Sequence, residues 1–292
     1  MLLFFLFLIA SFAAPSNQIF IKIGIEGVPP LTFTVLRFLL ATLILLPFWY
    51  RKKQFFHPKE LLLILPFSLN MGLFAIGIQY SSVIMSGILY TLTPILTAVF
   101  ARLLLKEKFI KEHFIGLAFA LAGTGILLKG SIETHDVLSF GTPLGNFLIL
   151  LAVILWGIYP VSGRILGKTY SSVTITFYNF LSTAILLLIT LPFEWMVRPV
   201  SPAAISSVTV LSILGSAIIG SALAYYCYQA VIKLTSAFKS SFILYASVIV
   251  SIIYGGLFFG EQLTMQLIVG AALIILGVFL ATTYTQLKKH NK

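Results

Sequence analysis

The residues able to do chemistry in this chain are few, and they sit in apolar surroundings. Trp156 and Tyr159 are three apart, and Tyr225, Tyr228 and Gln229 follow the i, i+3, i+4 spacing, so each set shares one face of a helix. Asn17, Gln79, Tyr90 and Tyr245 add hydrogen-bonding groups, each equally suited to bonding a neighbouring helix. Two cations fall inside apolar stretches, where an ionisable side chain is costly and marks a position for function. Lys239 fits a cavity-facing charge or an ammonium that snorkels to an interface. Arg37 is expected first of all to be structural, bonding helix-end carbonyls or Glu26, with substrate contact as its second role. None of the eight Asp and Glu lies in the middle of an apolar stretch. These residues describe a neutral to basic cavity with an aromatic wall, which suits a zwitterionic or anionic organic metabolite better than a lipophilic cation. Tyr50, Tyr170 and Tyr284 read instead as an interfacial aromatic belt.

Catalytic chemistry finds no constellation. His57, His113, His135 and His290 fall in links or the tail, and the chain has no HExxH, no GxSxG and no pair of intramembrane aspartates. Cys227 is the single cysteine, so it forms neither an intrachain disulfide nor a multi-cysteine metal site. No enzyme activity, cofactor or metal is expected.

The elements that must position these residues are membrane helices. The 292 residues are 59% hydrophobic and 9% charged, with a mean hydropathy of +1.06, whereas soluble domains carry about 25% charged residues. Polar or Pro/Gly breaks divide the apolar sequence into ten stretches near 2–23, 30–50, 60–79, 82–104, 111–128, 143–165, 172–192, 205–230, 235–258 and 264–285. At about 20 residues per crossing, this predicts an all-α membrane protein with ten transmembrane helices. With a cytoplasmic N-terminus, fourteen Lys and Arg fall on the cytoplasmic side against three outside, so the positive-inside bias places both termini in the cytoplasm. The same bias explains the net charge of +11 without nucleic acid.

The chain also repeats itself. Glu107, Gly116 and Gly123 recur at the same spacing as Glu261, Gly270 and Gly277, while Lys22, Thr32 and Phe38 pair with Arg164, Thr174 and Phe180. The predicted organisation is a first five-helix repeat at 1–128, an extracytoplasmic linker at 129–142, a second repeat at 143–287 and a basic tail at 288–292. Five spans is an odd number, so the second repeat is inverted, and inverted repeats enclose midplane sites in carriers that work by alternating access. Pro66, Pro94 and Pro160 interrupt the hydrogen-bond ladder within spans and permit gating kinks. Gly215 and Gly220 offer small packing surfaces beside those of the repeat.

Along almost its whole length the chain resembles the drug/metabolite transporter superfamily, in its ten-helix EamA-type branch. The matching residues are Ser16, Asn17 and Lys22, Gly27 to Pro30, Leu36 to Phe38, Tyr90 to Ile95, Glu107, Trp156 with Gly157, and Gly260 with Glu261, Gly270 and Gly277. The sequence departs from the branch at Ala14 and Pro15, where a second Trp-Gly is common, and at Val248, opposite Pro94. The resemblance implies a secondary transporter in a cell membrane, the inner membrane of a bacterium, and the neutral to basic cavity points to an amino acid or related zwitterion as the exported solute. Exchange of a nucleotide sugar or phosphate ester, or a membrane protein that transports nothing, are the alternatives. Expected partners are a small organic substrate, the lipid bilayer and a second copy of the chain. Arg37, Pro94, Pro160, Glu107 and Glu261 are assigned to structure or gating, and Asn17, Gln79, Tyr90, Trp156, Tyr159, Tyr225, Tyr228, Gln229, Lys239 and Tyr245 to substrate.

Overall fold

Within a bilayer the backbone has no water to bond, so an apolar run satisfies its N–H and C=O groups inside a helix. The computed structural model describes residues 2–105, 111–133, 136–201, 203, 205–234 and 237–280, and among these no strand occurs. The helices are α1 (Leu2–Gly27), α2 (Pro30–Lys52), α3 (Pro58–Ile78), α4 (Val83–Tyr90), α5 (Thr93–Leu105), α6 (Lys111–Glu133), α7 (Val137–Phe140), α8 (Pro143–Trp156), α9 (Tyr159–Leu166), α10 (Ser172–Leu188), α11 (Leu191–Val197), α12 (Ser207–Gly215), α13 (Ala224–Leu234), α14 (Ala237–Phe259) and α15 (Met265–Phe279), with a π-helical stretch (Ser216–Leu223) joining α12 to α13. Among the described residues six helical spans are long and apolar enough to cross a membrane, and the bent pair α10 and α11 makes a seventh. Shorter apolar helices cover 114–130, 247–259 and 265–277.

Local chemistry sets the ends. Ser82, Thr142, Ser171, Ser206 and Thr264 each cap a helix, accepting a hydrogen bond from a backbone N–H three residues on. Pro30 and Pro58 open α2 and α3, where a missing N–H costs nothing. Gly141 turns the chain at φ 70°, and a Cβ there would lie 2.5 Å from the Ser81 Cα.

Two helices break where single spans are predicted. α4 gives way to α5 at Thr91 and Leu92, just before Pro94, and the Thr93 hydroxyl bonds the Tyr90 carbonyl at 2.7 Å. α8 gives way to α9 at Gly157 and Ile158, just before Pro160. The two breaks meet: the Thr97 hydroxyl bonds the Gly157 carbonyl at 3.1 Å, and a Cβ on Gly157 would sit 2.7 Å from the Leu96 Cβ. Two other expectations need correction. The linker at 129–142 is partly helical, since α6 runs on to Glu133 through an i, i+4 pair of Lys129 with Glu133 at 3.6 Å, and α7 adds a turn. The stretch predicted at 172–192 is broken near its end, because Pro192 ends α10 and starts a new helix, α11, bent by 50° and running on to Val197.

Packing follows a regular scheme. α6 lies on α15, α2 on α10, and α4 on α14, while α3 packs on α8 and α1 packs on α12 through α13. Glycines permit the first contact, since a Cβ on Gly123 would approach the Gly270 carbonyl oxygen to 2.6 Å. One apolar cluster around Ile21, Phe33, Ile78, Ile84 and Ile149 fills the half of the bundle where α1 ends, called here the far end. A second, around Phe38, Phe67, Trp156, Phe180 and Val231, fills the other half.

Candidate functional site

Between these clusters lies a cavity of about 90 Å³, lined by α1, α2, α3 and α4 on one side and α8, α13 and α14 on the other. Arg37 reaches into it from α2, about seven residues from the far end or roughly 10 Å at 1.5 Å per residue. The side chain is 1% exposed. Its Nη1 donates to the Ser216 hydroxyl at 3.4 Å, and that hydroxyl donates to the Asn17 amide oxygen at 2.5 Å. Nη2 points at the Met71 sulfur at 3.3 Å, and the guanidinium carbon lies 4.3 Å from the centre of the Phe38 ring. Nε has no partner. Room for this corner comes from the π-helical stretch, where the Asn17 amide occupies the space a Cβ on Gly220 would need. Wide turns of this kind recur at functional positions.

The opposite wall is aromatic. Trp156 stacks on Tyr159 at 4.7 Å between ring centres and 21° between planes, and lies 5.9 Å from both Tyr225 and Tyr228. Tyr90 meets it edge-on at 6.2 Å and accepts a hydrogen bond from the Asn70 amide at 2.9 Å. That amide also bonds the Ala152 carbonyl at 2.6 Å, which fixes α3 against α8. Buried polar atoms without partners remain on Trp156 Nε1, Tyr159 Oη and Asn70 Oδ1. A buried polar atom normally has a partner, and of these three residues only Trp156 lines the cavity itself.

Carboxylates gather elsewhere. At the far end the Glu261 side chain is fully buried and accepts from Lys22 Nζ and from the Val83 and Ile84 backbone N–H groups, all at 2.8 Å. Negative charge at the start of α4 meets the positive end of the helix dipole. Glu194 does the same for α2, accepting from the N–H groups of Leu31 at 2.7 Å and Thr32 at 2.8 Å, while Trp195 donates to the Thr32 hydroxyl at 2.8 Å. Arg198 completes this strap on Gln79 at 3.0 Å and on the Ile25 carbonyl at 2.7 Å. At the opposite end the Tyr170 hydroxyl donates to Glu60 at 2.6 Å, Lys233 bonds the Tyr170 carbonyl at 3.0 Å, and Gln54 accepts from Ser171 N–H at 2.9 Å. The hydrogen bond to Glu60 is the main reason the Tyr170 phenol is held above its ordinary pKa, with lost solvation and the carboxylate charge adding to it.

Of the residues singled out in the sequence, Asn17, Arg37, Tyr90, Trp156, Tyr225 and Tyr228 line the cavity together. Tyr159 stands one layer behind, stacked on Trp156. Gln229 is fully buried on the outer side of this layer, 3.4 Å from the Gly163 carbonyl of α9. Gln79 is a correction: it caps the far end of α3 and holds Arg198 rather than facing the cavity. Arg37 is another, since the carbonyls of Ile25 and Glu26 are bonded by Arg198, and Arg37 turns inward to Ser216. Tyr170 is buried and bonded to Glu60, so it is no belt residue. Pro94 and Pro160 stand at the second positions of α5 and α9 rather than inside continuous helices. Glu107 lies outside the described residues, as do the side chains of Lys239 and Tyr245. Sequence reasoning missed Asn70, Met71, Ser216 and Glu194. For Asn70 the signal was present, a polar amide in mid-span. For Ser216 and Met71 there was none, because their role depends on where Arg37 points. Among the described residues no three His, Cys, Asp or Glu come together as a metal site.

A bundle of apolar helices enclosing a mostly apolar, aromatic-walled cavity with a few polar groups suits a membrane protein that handles a small solute. The model of the EamA-like transporter family matches residues 1–129 and 143–283, and the chain belongs to that family. It is 30% identical over 221 residues to the "Uncharacterized transporter YyaM" of Bacillus subtilis, covering 75% of this chain and 71% of that protein. YoaV of the same organism, also named a transporter, is 26% identical over 268 residues, covering 89% and 90%. A WAT1-related protein of Arabidopsis thaliana is 26% identical, covering 90% and 81%. A crystal structure with 17% identity superposes at a TM-score of 0.63 over 94% of this chain and 97% of the other, a likeness of fold. The chain is accordingly a multi-pass membrane transporter and not an enzyme.

Proposed function

We propose that this transporter exports a small organic metabolite, an amino acid or related zwitterion, from the cytoplasm by alternating access through the central cavity. The observation that carries the reading is the cavity itself: its walls come from both halves of the chain, and it joins a buried guanidinium to an aromatic face with no carboxylate among the described lining residues. In this reading ten spans form two inverted five-helix repeats, with both termini cytoplasmic and the far end outside the cell membrane. Three observations support the repeat. One family model matches two successive stretches. The contacts of α2 with α10, α4 with α14 and α6 with α15 each join predicted counterparts, and α1 on α12 and α13 mirrors α3 on α8. Both helix breaks precede a proline and touch one another beside the cavity.

The carboxylate straps of Glu261 and Glu194 tie the far end together, and in this reading outward opening requires them to part. The two breaks supply the hinges, since a helix interrupted at Pro94 or Pro160 bends at lower cost than a continuous one. Transport of labelled metabolites into everted membrane vesicles tests the reading. Vesicles with the wild-type chain should accumulate at least one amino or organic acid above vesicles carrying Trp156→Ala, which loses the ring that joins the cavity wall. A broad panel in which no solute is moved beyond that control would refute transport through this cavity.

A further inference from the structure

Arg37 is the most heavily buried charge in the cavity, and its surroundings leave it incompletely satisfied. Its donors meet a hydroxyl at the long distance of 3.4 Å, a thioether sulfur, the face of a phenyl ring and the neighbouring Tyr225 hydroxyl, all neutral groups, while Nε meets nothing among the described residues. A guanidinium carries five N–H donors in a rigid fork that matches a carboxylate. Burying such a charge without a counter-ion is strongly unfavourable, and a site that keeps one is holding it for a ligand. The described carboxylates nearest in role are engaged elsewhere, Glu261 by Lys22 and two N–H groups, Glu194 by the start of α2.

We propose that Arg37 binds the carboxylate of the transported solute through its open edge, with Ser216 and Asn17 holding the guanidinium in place, and that the carboxylate rather than an amine is the group the cavity requires. Resting on the export reading above, this assignment names the substrate class: an organic monocarboxylate whose apolar body lies against Trp156, Tyr225 and Phe74. Among the described residues the cavity lining offers an ammonium only neutral acceptors and ring faces, so a zwitterion gains little from its amine. At about 10–15 Å³ per water-sized group, a cavity of about 90 Å³ holds a branched acid of roughly six to nine heavy atoms.

The test uses three probes of one shape: 3-methylbutanoate, its carboxamide and 3-methylbutylamine, titrated calorimetrically into the purified full chain in lipid nanodiscs. The carboxylate should bind about 10- to 100-fold more tightly than the carboxamide, the range expected for hydrogen bonds to a charged partner. Arg37→Met should abolish that preference. A second readout separates binding from structure, because removing an uncompensated buried charge relieves a cost: the ligand-free Arg37→Met protein should melt at or above the wild-type temperature. Retention of the carboxylate preference in Arg37→Met, binding of none of the three probes, or a marked fall in its ligand-free melting temperature would overturn the assignment. Failure here is distinguishable from failure of the export reading. Trp156-dependent uptake of any solute into vesicles would leave transport standing while the carboxylate anchor falls.

Discussion

Glu261 offers the sharpest test of how the far end is held. Its carboxylate is fully buried and receives three donors at 2.8 Å: Lys22 Nζ and the first two N–H groups of α4. Glu261→Gln keeps one acceptor oxygen but turns an NH₂ group toward a donor, so one buried contact becomes repulsive. Breaking a buried ion pair from one side costs about 3–5 kcal/mol, and losing charge at the start of α4 adds up to about 1 kcal/mol. We expect Glu261→Gln to destabilise the protein by about 3–6 kcal/mol. Lys22→Met should cost less, about 1.5–3 kcal/mol, because Lys22 is 21% exposed and Glu261 retains both backbone N–H partners. Denaturant unfolding of the two single variants and the double variant in mixed micelles gives the coupling energy, expected at about 1–3 kcal/mol. Coupling below about 0.5 kcal/mol, the usual limit of additivity, would show that the pair does not hold the end together. Equal costs for the two single variants would refute the reasoning about the backbone N–H groups.

Two further outcomes follow from the geometry. Tyr170 donates to Glu60, which raises the folded phenol above its ordinary value of 10.0; that contribution to stability is fully present below pH 10.0 and is lost as pH rises through the folded value. Melting temperatures measured across that range should fall more steeply for wild type than for Tyr170→Phe, and parallel curves would refute the contribution. In the α6 and α15 interface, Gly123→Ala should cost about 1–3 kcal/mol by overpacking, since the new Cβ meets the Gly270 carbonyl at 2.6 Å. Gly125→Ala, with nothing within 4 Å of its Cβ, should be neutral or stabilising by up to about 1 kcal/mol, and the same melts would detect a reversal of that order.

The sequence by itself determined the solvent and the elements. Long apolar runs must become helices in lipid, and the Ser and Thr caps with Pro30 and Pro58 mark their ends whatever the tertiary arrangement. The aromatic faces were legible too, because Trp156, Tyr225 and Tyr228 owe their shared side to helical spacing alone. Tertiary structure decided which polar residue meets which. Arg37 and Arg198 are both cations near the far end, yet Arg198 takes the helix-end carbonyls and Arg37 turns to the cavity, because α11 folds back over α2 and brings Glu194 and Arg198 with it. Gln79 looked like a cavity amide and became the partner of that same arginine. The π-helical stretch left no periodic signal, since one widened turn is set by the fit of Asn17 against Gly220 and not by composition. Spacing fixes which side of a helix a residue is on, but the direction of a buried charge is settled by the partners that packing brings within reach.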